Sequence, residues 1–405
     1  MKQLVKLELF KIFRQKSLWV ALLLVTALLT ARIVISEVII PFPAQGYQVA
    51  DLQDDMEPVL EKWEGELTQE KVEKAQNVSK SIYEKYTKIW ENNPEIWDDE
   101  KIDPMKELGI SPEEAAEYFI VDQIAGTKRF VNDIEDNING LNRPLKSSDE
   151  NDASYKNALL EKKMIDKLDV ETFTYGEGAR STITTFKAFV PIMLGITILI
   201  GLSSIFVNEG STRMDQLIYS SRYGRGTGVK AKIVASIIYV SIVTVGLSTL
   251  SILLNIYMYG INGWDLPIQL LGIFHSEGYA LSPYHLTGFS YILIHLVVMF
   301  LVALIFMAFV LIVSALSKNI LVSFIISATI FSLPIVPLNI GLWKFVQQFS
   351  FINFLSVPEF TSEFHAYNLF GVPVLDPYVH YPIIVLLGVM FILAIYKTIK
   401  KKQIL

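Results

Sequence analysis

A chain of 405 residues that is 52% hydrophobic, with a mean hydropathy of +0.40, is too apolar for a soluble globular protein of its length. Charged side chains make up only 19% and gather in blocks, and a net charge of −6 does not suit a nucleic-acid binder. There is no cysteine, which excludes disulfides, thiol catalysis and cysteine-based metal sites.

The first segment, Met1–Lys16, sets Leu4, Leu7, Phe10 and Phe13 at helical spacing among Lys2, Lys6, Lys11, Arg14 and Lys16. This pattern predicts an amphipathic helix lying in the interface of the inner leaflet. The apolar run that follows exceeds the core of a signal peptide, and no convincing small-residue cleavage site succeeds it. Six runs approach the roughly 20 residues that a helix needs to cross about 30 Å of hydrocarbon. They are Leu18–Ile40, Phe189–Val207, Ile233–Tyr259, Ile292–Leu316, Ile320–Val336 and Ile383–Tyr396. Only Ser317-Lys318-Asn319 separates the fourth from the fifth, which predicts a tight helical hairpin.

Between the first two runs lies Pro41–Thr185, the one soluble piece, with nearly two acidic residues to each basic one. Leu60, Trp63 and Leu67, then Val72, Ala75, Ile82, Tyr86 and Ile89, recur at helical spacing. Ser111-Pro112-Glu113-Glu114 is a helix start, with a serine cap and proline first in the helix. Ala116, Ile120, Ile124, Val131, Ile134 and Ile138 continue that helix, and a third covers Ala153–Leu168. Asn92–Pro104 and Asn142–Asp152 read as loops. The expected fold is all-α: a helical extracytoplasmic domain (41–185) inserted after an elbow helix and first span (1–40), then a five-span membrane domain (186–405).

Sidedness follows from lysine and arginine near the span ends. The N-terminal segment, the 208–232 loop, Lys318 and the C-terminal Lys397, Lys400, Lys401 and Lys402 are basic, whereas the loops 260–290 and 337–380 carry only Lys344. Both termini are therefore expected in the cytoplasm. Trp264, Tyr279, Tyr284, Trp343, Tyr367, Tyr378 and Tyr381 populate the opposite side, as interfacial aromatics do.

The polar island Asn208–Lys232 holds Arg213, Arg222, Arg225, Lys230 and Lys232 against Glu209 and Asp215. Thr212 is placed to cap a short helix whose Met214, Leu217 and Ile218 share one face, and Gly224, Gly226 and Gly228 end it as a pliable link. An ordinary basic loop that only sets topology is the plainer alternative. Two charged or titratable residues stand inside spans. Arg32 either snorkels toward the outer interface near Glu37 or lines a substrate path, and His295 either makes a polar contact in the bundle or faces that path. His275, His285, His365 and His380 lie on outer segments without a metal-ligand spacing. No Walker-type loop occurs, so nucleotide hydrolysis is not expected of this chain.

Glu209-Gly210-Ser211-Thr212, then Leu217 to Arg225 and Ala231-Lys232, resemble the first cytoplasmic loop of ABC-2 type transporter permeases, with Ser211 as an insertion. The basic N-terminal elbow with its Glu8 is similar to that family too. The resemblance implies a membrane subunit of an ATP-binding cassette exporter in a bacterial plasma membrane. Its partners would be cytoplasmic ATPase subunits that bind the ATP, a second permease copy or homologue, and membrane lipid; the chain itself would need no cofactor. Glu209, Thr212, Met214, Leu217, Ile218, Arg222 and Arg225 would then couple it to the ATPase, and short re-entrant or interfacial helices are implied within 338–357. A non-transporting transmitter that moves the outer domain, and an intramembrane enzyme acting on lipid or glycan, are the alternatives from other classes.

Overall fold

Within hydrocarbon a backbone must satisfy its own polar groups, so long apolar runs are expected to wind into helices. The computed structural model describes residues 1–39, 53–92, 111–168, 172–211, 224–272, 282–336, 341–348, 350–355, 361 and 363–401. Helix α1 (Lys2–Phe13) leads into α2 (Lys16–Ile39). The inserted region contains α3 (Gln53–Trp63), strand β1 (Gly65–Glu66), α4 (Gln69–Asn92), α5 (Pro112–Ser147), α6 (Ala153–Ile165) and strand β2 (Thr172–Phe173). The second apolar stretch comprises α7 (Glu177–Thr184), a wide π turn over Thr185–Phe189, α8 (Val190–Leu202) and α9 (Val207–Ser211). Then come a π turn at Gly224–Gly228, α10 (Val229–Tyr259), α11 (Ile268–Gly272), α12 (Gly288–Leu316) and α13 (Ile320–Ser332). The chain continues through α14 (Gly341–Gln348), α15 (Phe351–Leu355), a hairpin of β3 (Ala366–Leu369) and β4 (Val372–Leu375), and α16 (Asp376–Lys401).

Five stretches are long and apolar enough to cross a membrane: within α2, Glu177–Glu209, α10 with the turn before it, α12 and α16. The run expected as a fifth span is a shorter apolar helix, α13, closed by a tight turn over Leu333–Ile335. Asn319 caps its start by accepting from the Val322 amide at 2.8 Å, and Pro334, which has no amide hydrogen, sits in the closing turn. The last span is longer than its apolar run suggests, because polar turns at both ends join the helix.

The second span begins earlier than its apolar run, at Glu177 inside the region first assigned to the soluble piece. Close backbone approach explains why. A side chain on Gly178 would stand 2.2 Å from the Gly260 carbonyl oxygen, and one on Gly263 would stand 2.2 Å from Gly176 Cα. These glycines let the start of α7 lie directly on the turn after α10, where the Ala179 amide donates to the Asn262 carbonyl. Pro191 follows the π turn; lacking an amide hydrogen, it cannot donate back into that turn, which accommodates the wider winding.

Two separate cores result. One runs through the apolar helices. The other belongs to the inserted region: Met56, Val59, Trp63, Val72, Ala75, Ile82, Ala116, Ile120, Ile124, Phe173 and Tyr175. Ser111 caps α5 as its sequence demands, accepting from the Glu114 amide at 3.2 Å. The expected loop Asn142–Asp152 is in part helix, since α5 runs on to Ser147 and packs against α6. Pro144, near the end of this helix, has no amide hydrogen for the Gly140 carbonyl, so the helix continues there with one ladder bond missing. Residues 93–104 of the other expected loop lie outside the described residues. Antiparallel pairing of β1 with β2, Gly65 opposite Phe173, closes the second core on itself. Expressed alone, residues 47–175 are expected to give a soluble domain with a helix-dominated far-ultraviolet spectrum; a strand or coil spectrum would show that the membrane helices hold this core together.

Candidate functional site

The second apolar stretch is not one unbroken helix. Residues Ser203–Phe206 leave the helical ladder between α8 and α9. A buried carbonyl or amide without a partner costs about 1–3 kcal/mol, so such a break persists only where other groups complete it. Here the donors come from four directions. Gln15 Nε2 donates to the Gly201 carbonyl at 3.2 Å, and Ser314 Oγ of α12 donates to Ser203 at 2.8 Å. The Ile205 and Asn208 amides take the Leu202 and Ser204 carbonyls. Lys232 Nζ takes Ile205 at 3.2 Å, and the Phe206 amide donates to Ser314 Oγ at 3.1 Å. Every carbonyl from Gly201 to Ile205 thus has a donor.

Lys232, one turn into α10, is 3% exposed. Besides Ile205 it reaches Glu209 Oε1 at 2.7 Å and Glu8 Oε2 at 3.2 Å, with its ammonium 5.4 Å from the centre of the Phe206 ring. Lys11 Nζ closes the group, 2.7 Å from Glu8 Oε1 and 3.4 Å from Glu209 Oε1. Lys232 and Glu209 are buried and Glu8 nearly so, while Lys11 closes the group from its exposed side. Burial strips hydration from Lys11, but hydrogen bonds and charge from Glu8 and Glu209 outweigh that and raise its pKa. A raised lysine pKa contributes stability that is complete below the ordinary 10.5 and is lost only as pH climbs through the folded value. The contribution of Lys11 should be unchanged across neutral pH.

Helix α1 presents two apolar sides, where a single stripe was expected. Ile12, with Val5, Leu9 and Phe13, packs on the membrane helices, and the Phe13 ring meets Tyr239 edge-on at 5.8 Å. Leu4, Leu7 and Phe10 stay exposed, the side an interfacial helix offers to lipid.

Of the residues singled out in the sequence, Glu209 stands in this group. Thr212, Met214, Leu217, Ile218 and Arg222 lie outside the described residues, as does the side chain of Arg225. The glycine run after them is no open link: Gly224–Gly228 is a helical turn wound straight into α10. Arg32 is half-buried, and no hydrogen bond or ion pair to it is found among the described residues. His295 is fully buried between the Phe186 and Tyr291 rings, at 5.6 and 6.0 Å, and no described contact joins it to Arg32.

Sequence reasoning expected no ionisable side chain in the spans beyond Arg32 and His295. The early start of the second span brings in three more. Arg180 Nε donates to Glu177 Oε2 at 2.8 Å in the first turn of α7, and Lys187 sits in the π turn. His380, read as interfacial or packed, is buried with Nδ1 2.6 Å from Asp376 Oδ1. No cluster able to hold a metal occurs among the described residues.

Compared with protein-family models, with curated proteins and with solved structures, the chain finds no match in any of the three. Fold and site by themselves define the class: a mostly helical chain of multi-pass membrane character, with a charged group at the broken end of its second long helix.

Removing one member of a buried ion pair typically costs about 3–5 kcal/mol, because the partner is stranded. Lys232→Met is expected to lower the thermal midpoint in detergent sharply, and Glu8→Gln less. The double variant Lys232→Met/Glu209→Gln should lose less than the two single losses summed, by about 0.5–3 kcal/mol. Additive losses would show that the ammonium and the carboxylate do not act on each other.

Proposed function

We propose that this chain is the membrane subunit of an ATP-binding cassette exporter, converting ATP hydrolysis by a separate ATPase into movement of a substrate across a bacterial plasma membrane. The observation that carries the reading is the charged group. Glu209 and Lys232 bracket the 212–223 segment and meet at its base, 2.7 Å apart, while Glu8 ties the same point to α1. A force applied to that segment enters α1, α9 and α10 together. This is how a short docking helix would move several spans at once.

In this reading α13 and its closing turn are the fifth of six spans, both termini are cytoplasmic, and the inserted domain lies outside. Thr212 caps the docking helix, Met214, Leu217 and Ile218 fill a groove on the ATPase, and Arg222 and Arg225 flank it. ATP stays on the partner, and two permease copies, or one with a homologue, form the path. Peptides, antibiotics, ions and lipid-linked compounds are the substrate classes that such permeases handle.

A second reading has its own observation. Lys156 Nζ of α6 donates to the Gly371 carbonyl at 2.9 Å, so the inserted domain touches the hairpin that begins α16. A transmitter would use that contact to pass the ATPase stroke to a partner outside. Reconstituted in liposomes with its ATPase, an exporter shows substrate-stimulated hydrolysis, whereas a transmitter does not.

Burying an apolar side chain of this size contributes about 1.5–3 kcal/mol. Leu217→Asp is therefore expected to release the ATPase on co-purification, whereas Arg213→Gln, touching at most an exposed pair worth about 0–1 kcal/mol, should retain it. The reverse result would make the contact electrostatic. Sidedness is tested separately, since the natural chain has no cysteine. A cysteine at Asn262 should react with an impermeant maleimide from outside and one at Ser220 should not; labelling of Ser220 from outside would invert the topology.

A further inference from the structure

The β3–β4 hairpin pairs Leu369 with Val372 and leaves Phe370 and Gly371 as a two-residue turn. Both have positive φ, 53° and 83°, the pattern of a type I′ turn. Asn, Asp and Gly fill the first position of such turns with little strain, and a phenylalanine does not. Phe370 is the one non-glycine residue with positive φ among those described, and its side chain is fully exposed. A strained position occupied by a bulky ring in open solvent points to a use for the ring itself.

The surroundings say what the ring meets. Residues 366–375, AYNLFGVPVL, carry no charge. Cross-strand pairs Tyr367–Val374 and Leu369–Val372 share one face, on which Tyr367, Leu369 and Val372 are all exposed. No residue separates the hairpin from α16, whose first turn exposes Tyr378. A four-residue strand is about 13 Å long. That keeps the tip near the end of a helix apolar enough to cross the bilayer, where the polar headgroup zone adds roughly 5–8 Å per side. The tip itself is uncharged, and the exposed Glu363 and His365, 3.6 Å apart, precede β3 at the opposite end of the hairpin from Phe370. The neighbouring cation is Lys156, holding the Gly371 carbonyl. Aromatic and aliphatic side chains beside a lysine are the combination by which interfacial elements enter an anionic leaflet.

We propose that the hairpin is a membrane anchor: Phe370, with Leu369 and Val372, inserts into the lipid leaflet at the Asp376 end of α16, and Lys156 faces the headgroups. The inserted domain, held to the hairpin by Lys156, is thereby kept at the bilayer surface. The inference rests on α16 crossing the membrane and not on the exporter reading.

The test uses the full chain with single cysteines bearing a nitroxide, in nanodiscs of phosphatidylcholine with and without phosphatidylglycerol. Oxygen concentrates in lipid and a nickel chelate stays in water, so their collision rates locate each label. A label at Phe370→Cys should resemble the lipid control Met390→Cys, favouring oxygen, and should move deeper when phosphatidylglycerol is present. Behaviour like the aqueous control Asp149→Cys would overturn the proposal. Shielding from both reagents would also overturn it, by placing a protein surface on the tip. Phe370→Asn keeps the hairpin testable, since Asn-Gly suits the turn better and should raise the thermal midpoint in detergent. In that background a label at Leu369→Cys should lose its preference for oxygen. An unchanged preference would mean that Phe370 is not the anchor.

Discussion

The constraint on which this structure turns is the unwound backbone at Ser203–Phe206. A helix interrupted beside hydrocarbon exposes polar groups that no lipid can satisfy, and the protein answers with side chains from two other helices and from the link between α1 and α2. Gln15 follows α1, Ser314 comes from α12 and Lys232 from α10. Once Lys232 is drawn in to cap Ile205, its charge must be matched, and Glu209 and Glu8 do so. The break thus explains why the N-terminal helix is fixed to the membrane bundle through ionic contacts as well as apolar ones. It also explains why the buried Lys232 ammonium meets a carboxylate: left alone there, the charge would cost several kcal/mol.

What was legible in the sequence was whatever periodicity and local chemistry encode. The Ser111 cap, the stripe through Val72, Ala75 and Ile82, and the apolar runs themselves needed only neighbours within a few turns. The span ends were less legible. Glu177 and Arg180 look like surface residues until Gly178 and Gly260 bring two backbones together, and hydropathy does not register a glycine contact between distant segments. Residues 142–152 read as a loop, yet α5 runs on to Ser147 and packs on α6, a contact that local composition does not show. The charged group was visible only in pieces. Glu8, Glu209 and Lys232 each drew notice as part of a resemblance, but Glu8 and Lys232 are 224 positions apart and no pattern along the chain predicts their contact.

The same long-range logic separates the group at Lys232 from the pair at Asp376 and His380. Both are buried pairings of a carboxylate with a basic side chain, but the first joins three helices and the second lies within one, four residues apart on α16. An intrahelical pair fixes the shape of its own first turn, where the Tyr367 ring of the hairpin meets the His380 ring at 5.7 Å, tilted by 57°. An interhelical group fixes the relation between elements. Only an interhelical group can pass a displacement from one element to another, and Glu209 with Lys232 forms such a group.

Helix α12 connects the two regions. Ser314, near one end, holds the broken backbone, while the helix packs along α16, which continues the hairpin. His295 and Ser314 are 19 residues apart, so about 28 Å of helix separates them. Nearly every side chain α12 turns inward between them is buried, including Met299, Phe306 and Leu311. Such packing does not deform gradually, so a shift at one end is passed on or is absorbed where winding is already irregular. The π turns at Thr185–Phe189 and Gly224–Gly228 are those places, one beside His295 through Phe186 and the other just before Lys232. Along the chain and through its contacts, the irregular turn at Gly224–Gly228 precedes Lys232, whose group shares the broken backbone with Ser314 of the long packed helix α12.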